Sequence, residues 1–126
     1  MLEELVIIVE DDRPALLAEV GELLGSAGVN IHTLAASNIN GQGIIHLVVD
    51  DGEDAGEVLV ANGFKVDGVR EVMTVTLDDR PGELGRYCRR LSESGVSVKA
   101  VYVAHRNAGE TELIFSVDDL QAAQNI

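Results

Sequence analysis

The chain has 126 residues, a length that suits one ordinary domain or two very small ones. Its 9 basic and 22 acidic residues leave a formal charge of −13, which repels phosphate backbones and anionic membranes, so neither nucleic acid nor a membrane is an expected partner. Hydrophobic residues are 46% of the chain but aromatics only 3%, so aliphatic side chains must build the core.

A β-branched run, Leu5–Val9, predicts a first buried strand. Asp11-Asp12-Arg13-Pro14 follows, where an Asp carboxylate can cap a helix and Pro in the first turn sacrifices no hydrogen bond. Leu16, Leu17, Val20, Leu23, Leu24 and Ala27 recur at helical spacing with Glu19 and Glu22 opposite, which predicts a helix laying one apolar stripe on a sheet. Gly28 should close that helix in a left-handed turn. A second strand is expected from Asn30 to Asn38, a hairpin through Asn40-Gly41-Gln42-Gly43 and a third strand from Ile44 to Val49. A short helix from Asp54 to Ala61 and a strand from Phe64 to Val69 complete a βαββαβ unit.

The unit is then written again. Asp78-Asp79-Arg80-Pro81 repeats the loop, Leu84 and Leu91 repeat Leu17 and Leu24, and Gly95-Val96-Ser97-Val98 repeats Gly28-Val29-Asn30-Ile31. Val72–Leu77 supplies the first strand of this copy, Ser97–Ala104 the second and Thr111–Val117 the third, with one extra residue assigned to its hairpin, about Asn107-Ala108-Gly109. After Asp118-Asp119-Leu120 only a few helix-forming residues remain before Ile126, so the last strand of the second unit is missing or supplied elsewhere. The expected domains are 1–69 and 70–126.

Acidic-Arg-Pro-Gly after a strand, a Leu three residues beyond the Pro and a Gly-Val-Asn-Ile approach to the next strand resemble the ACT domain. Asp79-Arg80-Pro81-Gly82-Glu83-Leu84 with Gly95-Val96-Ser97-Val98 carries the resemblance in copy two, and Asp12-Arg13-Pro14 with Gly28-Val29-Asn30-Ile31 in copy one. Nearly the whole chain is similar to small stand-alone proteins of two tandem ACT domains. The resemblance implies an α+β, ferredoxin-like fold in which two units pair side by side into an eight-stranded antiparallel sheet with helices on one face. It also implies that an amino acid or other small effector binds where domains meet. Copy two would contribute Asp79, Arg80, Pro81, Gly82, Glu83 and Leu84 with Ser97 and Val98, and copy one Asp12, Arg13, Asn30 and Ile31.

The chemistry of such a loop can be stated separately. Free N–H groups at a helix start favour a carboxylate, Gly82 lets a ligand approach the backbone, and Asp12, Asp79, Asn30 or Ser97 can hold an ammonium or polar side chain. Ala15 stands where copy two has Gly82, so the loop of copy two is the first candidate.

No other constellation competes. His32, His46 and His105 lack metal-ligand spacing, and Cys88, the single cysteine, falls on the inward helical stripe and allows no intrachain disulfide. Arg86, Arg89 and Arg90 form a basic stripe that reads as a solvated face pairing with Glu83 and Glu93, or as a docking surface for an acidic partner. Gly41-Gln42-Gly43 precedes a strand and no Lys follows it, so it is no phosphate loop.

The expected protein is a non-catalytic, dimeric regulatory sensor of an amino acid, with no cofactor and no metal. The alternative is a regulatory subunit docked on an amino-acid biosynthetic enzyme such as acetohydroxy-acid synthase. A small enzyme using Cys88 or a His is a third reading. The start, Met-Leu-Glu-Glu, has no basic segment before an apolar run, and no apolar stretch nears about 18 residues, so a soluble cytoplasmic protein is expected.

Overall fold

A computed structural model describes residues 1–126, which divide into two compact units, 1–70 and 71–126. The first runs β1 (Glu3–Val9), α1 (Leu16–Ser26), β2 (Ile31–Ile39), β3 (Gln42–Val49), α2 (Gly52–Ala61) and β4 (Lys65–Glu71), with sheet order β2-β3-β1-β4. The second runs β5 (Met73–Asp78), α3 (Glu83–Glu93), β6 (Val98–Asn107), β7 (Glu110–Val117) and the short α4 (Leu120–Gln124), with sheet order β5-β7-β6. No helix is long and apolar enough to cross a membrane.

Period-two alternation decides which side chains meet. In the first unit Leu5 pairs with Leu47 and Ile7 with Ile45, and these four pack with Val20 and Leu24 of α1 into a core whose fully buried members are all aliphatic, with Phe64 packed against its edge. In the second unit the corresponding layer contains Tyr87 and Phe115, whose rings meet edge to face with centroids 5.3 Å apart.

Both copies close their helices alike. Gly28 and Gly95 follow α1 and α3 with φ of 76° and 77°, and the next residue in each case donates its N–H to the carbonyl of Leu24 or Leu91. This is the left-handed C-terminal turn expected at those glycines. The second helices also match: Asp51 caps α2 by accepting from the Asp54 N–H, and Asp119 caps α4 by accepting from the Ala122 N–H.

Three local expectations need correction. Asp12 and Asp79 do not cap helices. Leu16 N–H bonds the Arg13 carbonyl and Glu83 N–H the Arg80 carbonyl, so Pro14 and Pro81 lie in turns, and the N-caps are Ala15 and Gly82, without side-chain bonds. Leu17 and Leu84 do not face inward. They are 48% and 46% exposed, because a later helix start turns the stripe onto Leu16, Val20 and Leu24 in α1 and onto Tyr87 and Leu91 in α3.

The extra residue of copy two, finally, is not in its turn. Ile39 pairs with Gln42 and Asn107 with Glu110, so both turns hold two residues; the register instead shifts between Val103 and His105 in β6. That bulge sets Arg106 opposite Thr111, where the first unit has Asn38 opposite Gly43.

Phe115 is fully buried at the centre of the second core. Truncating it by Phe115→Ala should cost about 3–5 kcal/mol in chemical denaturation, the usual range for removing a buried aromatic ring.

Candidate functional site

In each unit the loop after the first strand is tied to the hairpin turn by one backbone bond. Asp12 N–H donates to the Gly41 carbonyl at 3.0 Å, and Asp79 N–H to the Gly109 carbonyl at 2.9 Å. The tie brings the Asp-Arg-Pro loop beside the last residues of β2 or β6 and the first of β3 or β7. What the two copies place there differs.

In the first unit the space is filled. Leu16 is buried, and a Cβ on Gly43 would lie 3.0 Å from its Cδ2 atom, so the glycine is what lets Leu16 seat against the sheet. Asp12 is engaged by Asn38, whose Nδ2 donates to it at 2.8 Å, and Arg13 pairs with Glu19.

In the second unit the position of Leu16 is taken by Glu83, whose carboxylate turns outward to accept from Arg80 at 2.8 Å and Arg86 at 2.7 Å. A pocket of about 130 Å³ remains beneath the loop. Leu77, Leu84, Val103 and Leu113 give it aliphatic walls; its polar lining is Asp79, Arg106 and Thr111 together with Asp78, Arg80 and Glu83, which pair among themselves. Thr111 is only 7% exposed, and its hydroxyl has no hydrogen-bond partner within the chain. The side chains of Asp79 and Arg106 make no hydrogen bond or ion pair within the chain either. A buried hydroxyl left unpaired costs on the order of 1–3 kcal/mol, so it marks a place where a partner is worth having.

The electrostatics of the loop are ordered by its arginines. Arg80 bridges Asp78 and Glu83, and hydrogen bonds from Arg86 and then Arg80 hold the Glu83 carboxyl below its ordinary 4.5. Gly82 adopts φ 89°, the left-handed region, whereas Ala15 at the matching place has φ −84°. The two loops therefore differ in backbone, and the Gly-to-Ala difference between copies follows from that.

Of the residues expected to bind, Asp79, Arg80, Glu83 and Leu84 line the pocket, while Pro81 and Gly82 shape the turn above it. Asp12 and Arg13 are occupied by Asn38 and Glu19. Ile31 pairs with Val49 and Val98 with Val117, at the opposite end of each sheet from its own loop, so within a unit Asn30, Ile31, Ser97 and Val98 are not brought to the Asp-Arg-Pro loop. The Ser97 backbone N–H donates to the Asp118 carboxylate at 2.8 Å. Leu77, Val103, Arg106, Thr111 and Leu113 are pocket residues that sequence reasoning did not name; the register after the bulge is the signal that finds them.

A larger groove, about 700 Å³, lies between α2 and β4. Its rim carboxylates are Glu3, Glu53 and Glu57, it has no cation for an anionic ligand, and Glu3 is already used, accepting from the Gly52 N–H at 2.9 Å. The smaller pocket, by contrast, is lined by both acidic and basic side chains and by Thr111. Elsewhere, Cys88 packs against the second core, His32 lies 3.0 Å from Asp50, His105 lies 3.1 Å from Asn107, and no group of three or more potential metal ligands is present.

Two outcomes are expected at the loops. Gly82→Ala should lose about 1–2 kcal/mol to left-handed strain and displace Arg86, whose Nη1 lies 2.8 Å from where the Cβ would be, whereas Ala15→Gly should lose only about 0.5–1 kcal/mol; denaturation of both variants checks the difference. A carboxyl-detected NMR titration should give Glu83 a midpoint below 4.5, moving up in Arg86→Ala. Because the folded value is the depressed one, the arginine contacts stabilise the fold above the unfolded value and lose that effect as pH falls through the folded one.

The family model described as an ACT domain pair matches residues 1–126. Among solved structures, protein BT0572 from Bacteroides thetaiotaomicron is 24% identical with a TM-score of 0.81, over 98% of this chain and 83% of that one. The ligand-free regulatory subunit of aspartate kinase from Thermus thermophilus is 15% identical with a TM-score of 0.74, over 98% and 89%. A putative C-terminal regulatory domain of aspartate kinase from Porphyromonas gingivalis W83 is 14% identical with a TM-score of 0.63, over 98% and 88%. No curated protein matches the chain. The match over the full length, on a mixed α+β fold of two antiparallel sheets and four helices, means that the chain belongs to the ACT domain family as an ACT domain pair.

Proposed function

We propose that this ACT domain pair is a non-catalytic regulatory sensor of an amino acid, with the loop of the second unit as its binding element. The observation that carries the reading is the pocket beneath that loop, where Asp79 and Arg106 offer opposite, unengaged charges to a zwitterion. Nothing in the pocket pairs a nucleophile with a base; its hydroxyl, Thr111, lies among Leu77, Leu113, Asp79 and Arg106 without a His. A signal would require the ligand to bind two arrangements of the protein unequally, for which pairing of units or of whole chains in a homodimer is the natural element.

A second reading has specific support in the solved relatives that are regulatory subunits or domains of aspartate kinase. On that reading the chain docks on an amino-acid biosynthetic enzyme and transmits occupancy to it. Acetohydroxy-acid synthase is a further enzyme of this kind.

The test is a thermal-shift screen of the full chain against the twenty proteinogenic amino acids at millimolar concentration. A selective ligand at 100 times its Kd stabilises by about 2.7 kcal/mol, enough to raise the midpoint by several degrees. One amino acid, or one chemically related set, should shift it. If none does, the sensor reading falls.

A further inference from the structure

Resting on the amino-acid reading, we infer that the second unit alone binds a small aliphatic α-amino acid, with Thr111 and Arg106 as specificity-determining residues and the first unit closed to the same ligand. Small-molecule sites usually enclose about 300–1,000 Å³, and this pocket, at about 130 Å³, has room for one side chain and its backbone groups but not for a nucleotide.

Chemistry narrows the class. Leu77, Leu84, Val103 and Leu113 form the walls, and two of them, Leu84 and Val103, are 46% and 54% exposed, apolar surface that a hydrocarbon side chain would cover. No aromatic ring lines the pocket to stack on an aromatic ligand. Arg106 and Thr111 are direct cross-strand partners, so their side chains leave the sheet on the same face, and both are donors, which suits a carboxylate. Asp79, across the pocket on the loop, accepts from the ammonium. The hydroxyl matters because it is more than nine-tenths buried and unpartnered. A carboxylate satisfies it, and an apolar molecule without one does not.

The first unit supplies the internal control. At the places of Thr111, Arg106 and Glu83 it has Gly43, Asn38 and Leu16. Leu16 occupies the space that the ligand side chain would take, and Asn38 supplies to Asp12 the hydrogen bond that the ligand ammonium would supply to Asp79. The chain thus carries a self-filled and an open version of one site.

Isothermal titration of the full chain with L-valine, L-leucine, L-lysine and L-aspartate tests this, together with the deaminated analogue 2-oxoisovalerate. Valine or leucine should bind at one site per chain, with 2-oxoisovalerate weakened at least tenfold. Thr111→Val, which keeps the side-chain shape and removes the unpaired hydroxyl, and Arg106→Gln, on an exposed strand end, should each weaken binding about tenfold or more, with the first melting at or above wild type and the second as wild type does. Asn38→Ala in the first unit should leave affinity unchanged. If L-lysine or L-aspartate binds instead, in an Arg106-dependent way, the sensor reading stands and the aliphatic assignment is overturned. If valine or leucine binds and Thr111→Val and Arg106→Gln leave it unaffected, the location is overturned. If none of the four binds, both this inference and the reading it rests on lose their support.

Discussion

Much of the site depends on one backbone hydrogen bond, from the residue that opens the Asp-Arg-Pro loop to the carbonyl at the hairpin turn. It is worth on the order of 1 kcal/mol by itself, but it fixes a geometry that nothing local would fix. A strand-to-helix loop is otherwise free to swing, since its helix begins without a side-chain cap in either copy. Tied to Gly41 or Gly109, the loop must face the ends of two neighbouring strands. Whatever those strands present then decides whether the space below becomes core or pocket.

The copies decide it oppositely, and the energetics explain how both persist. Burying Leu16 gains the first unit roughly 1.5–3 kcal/mol that the second forgoes by placing Glu83 there. The second unit offsets part of this with its Tyr87–Phe115 contact and with an Arg90 guanidinium 5.3 Å over the Tyr87 ring. It nevertheless keeps two unpaired buried hydroxyls, Thr111 at the pocket and Ser116 elsewhere in β7, and two unengaged charges. Local inconsistency of that kind, in an otherwise consistent fold, is the usual mark of a site.

The fold was readable because its determinants are periodic. Alternation in Leu5–Val9, helical spacing in Leu16–Leu24 and the glycines after each first helix act over neighbouring residues, and the repeat doubles each signal. The caps are not legible in the same way, because Asp before Arg-Pro can either accept a helix N–H or leave the chain in a turn, and the tie to the hairpin selects the turn. The pocket was only half readable. Its loop side is a motif, but its strand side depends on register, and a single inserted residue can sit in a turn or in a bulge with the same sequence on either side. Placing it in the turn pairs the wrong residues. The bulge after Val103 is what makes Arg106 and Thr111 partners, and no propensity within either strand announces it.

The same bulge bears on how binding could be felt beyond the pocket. It lies in β6, one strand of a three-stranded sheet, while Asp79 lies on the loop feeding α3. A ligand held by Arg106 and Thr111 on one side and by Asp79 on the other would link the hairpin to the helix start through charged contacts in addition to the single backbone bond. Bulges and uncapped helix starts are places where a fold yields most easily, because fewer ladder or cap bonds must break. Clamping two such places together changes the relative free energy of open and closed arrangements by the ligand's differential affinity for them, which is the only lever a bound effector has. In the first unit Leu16 and the Asn38–Asp12 bond already link loop to strands without a ligand.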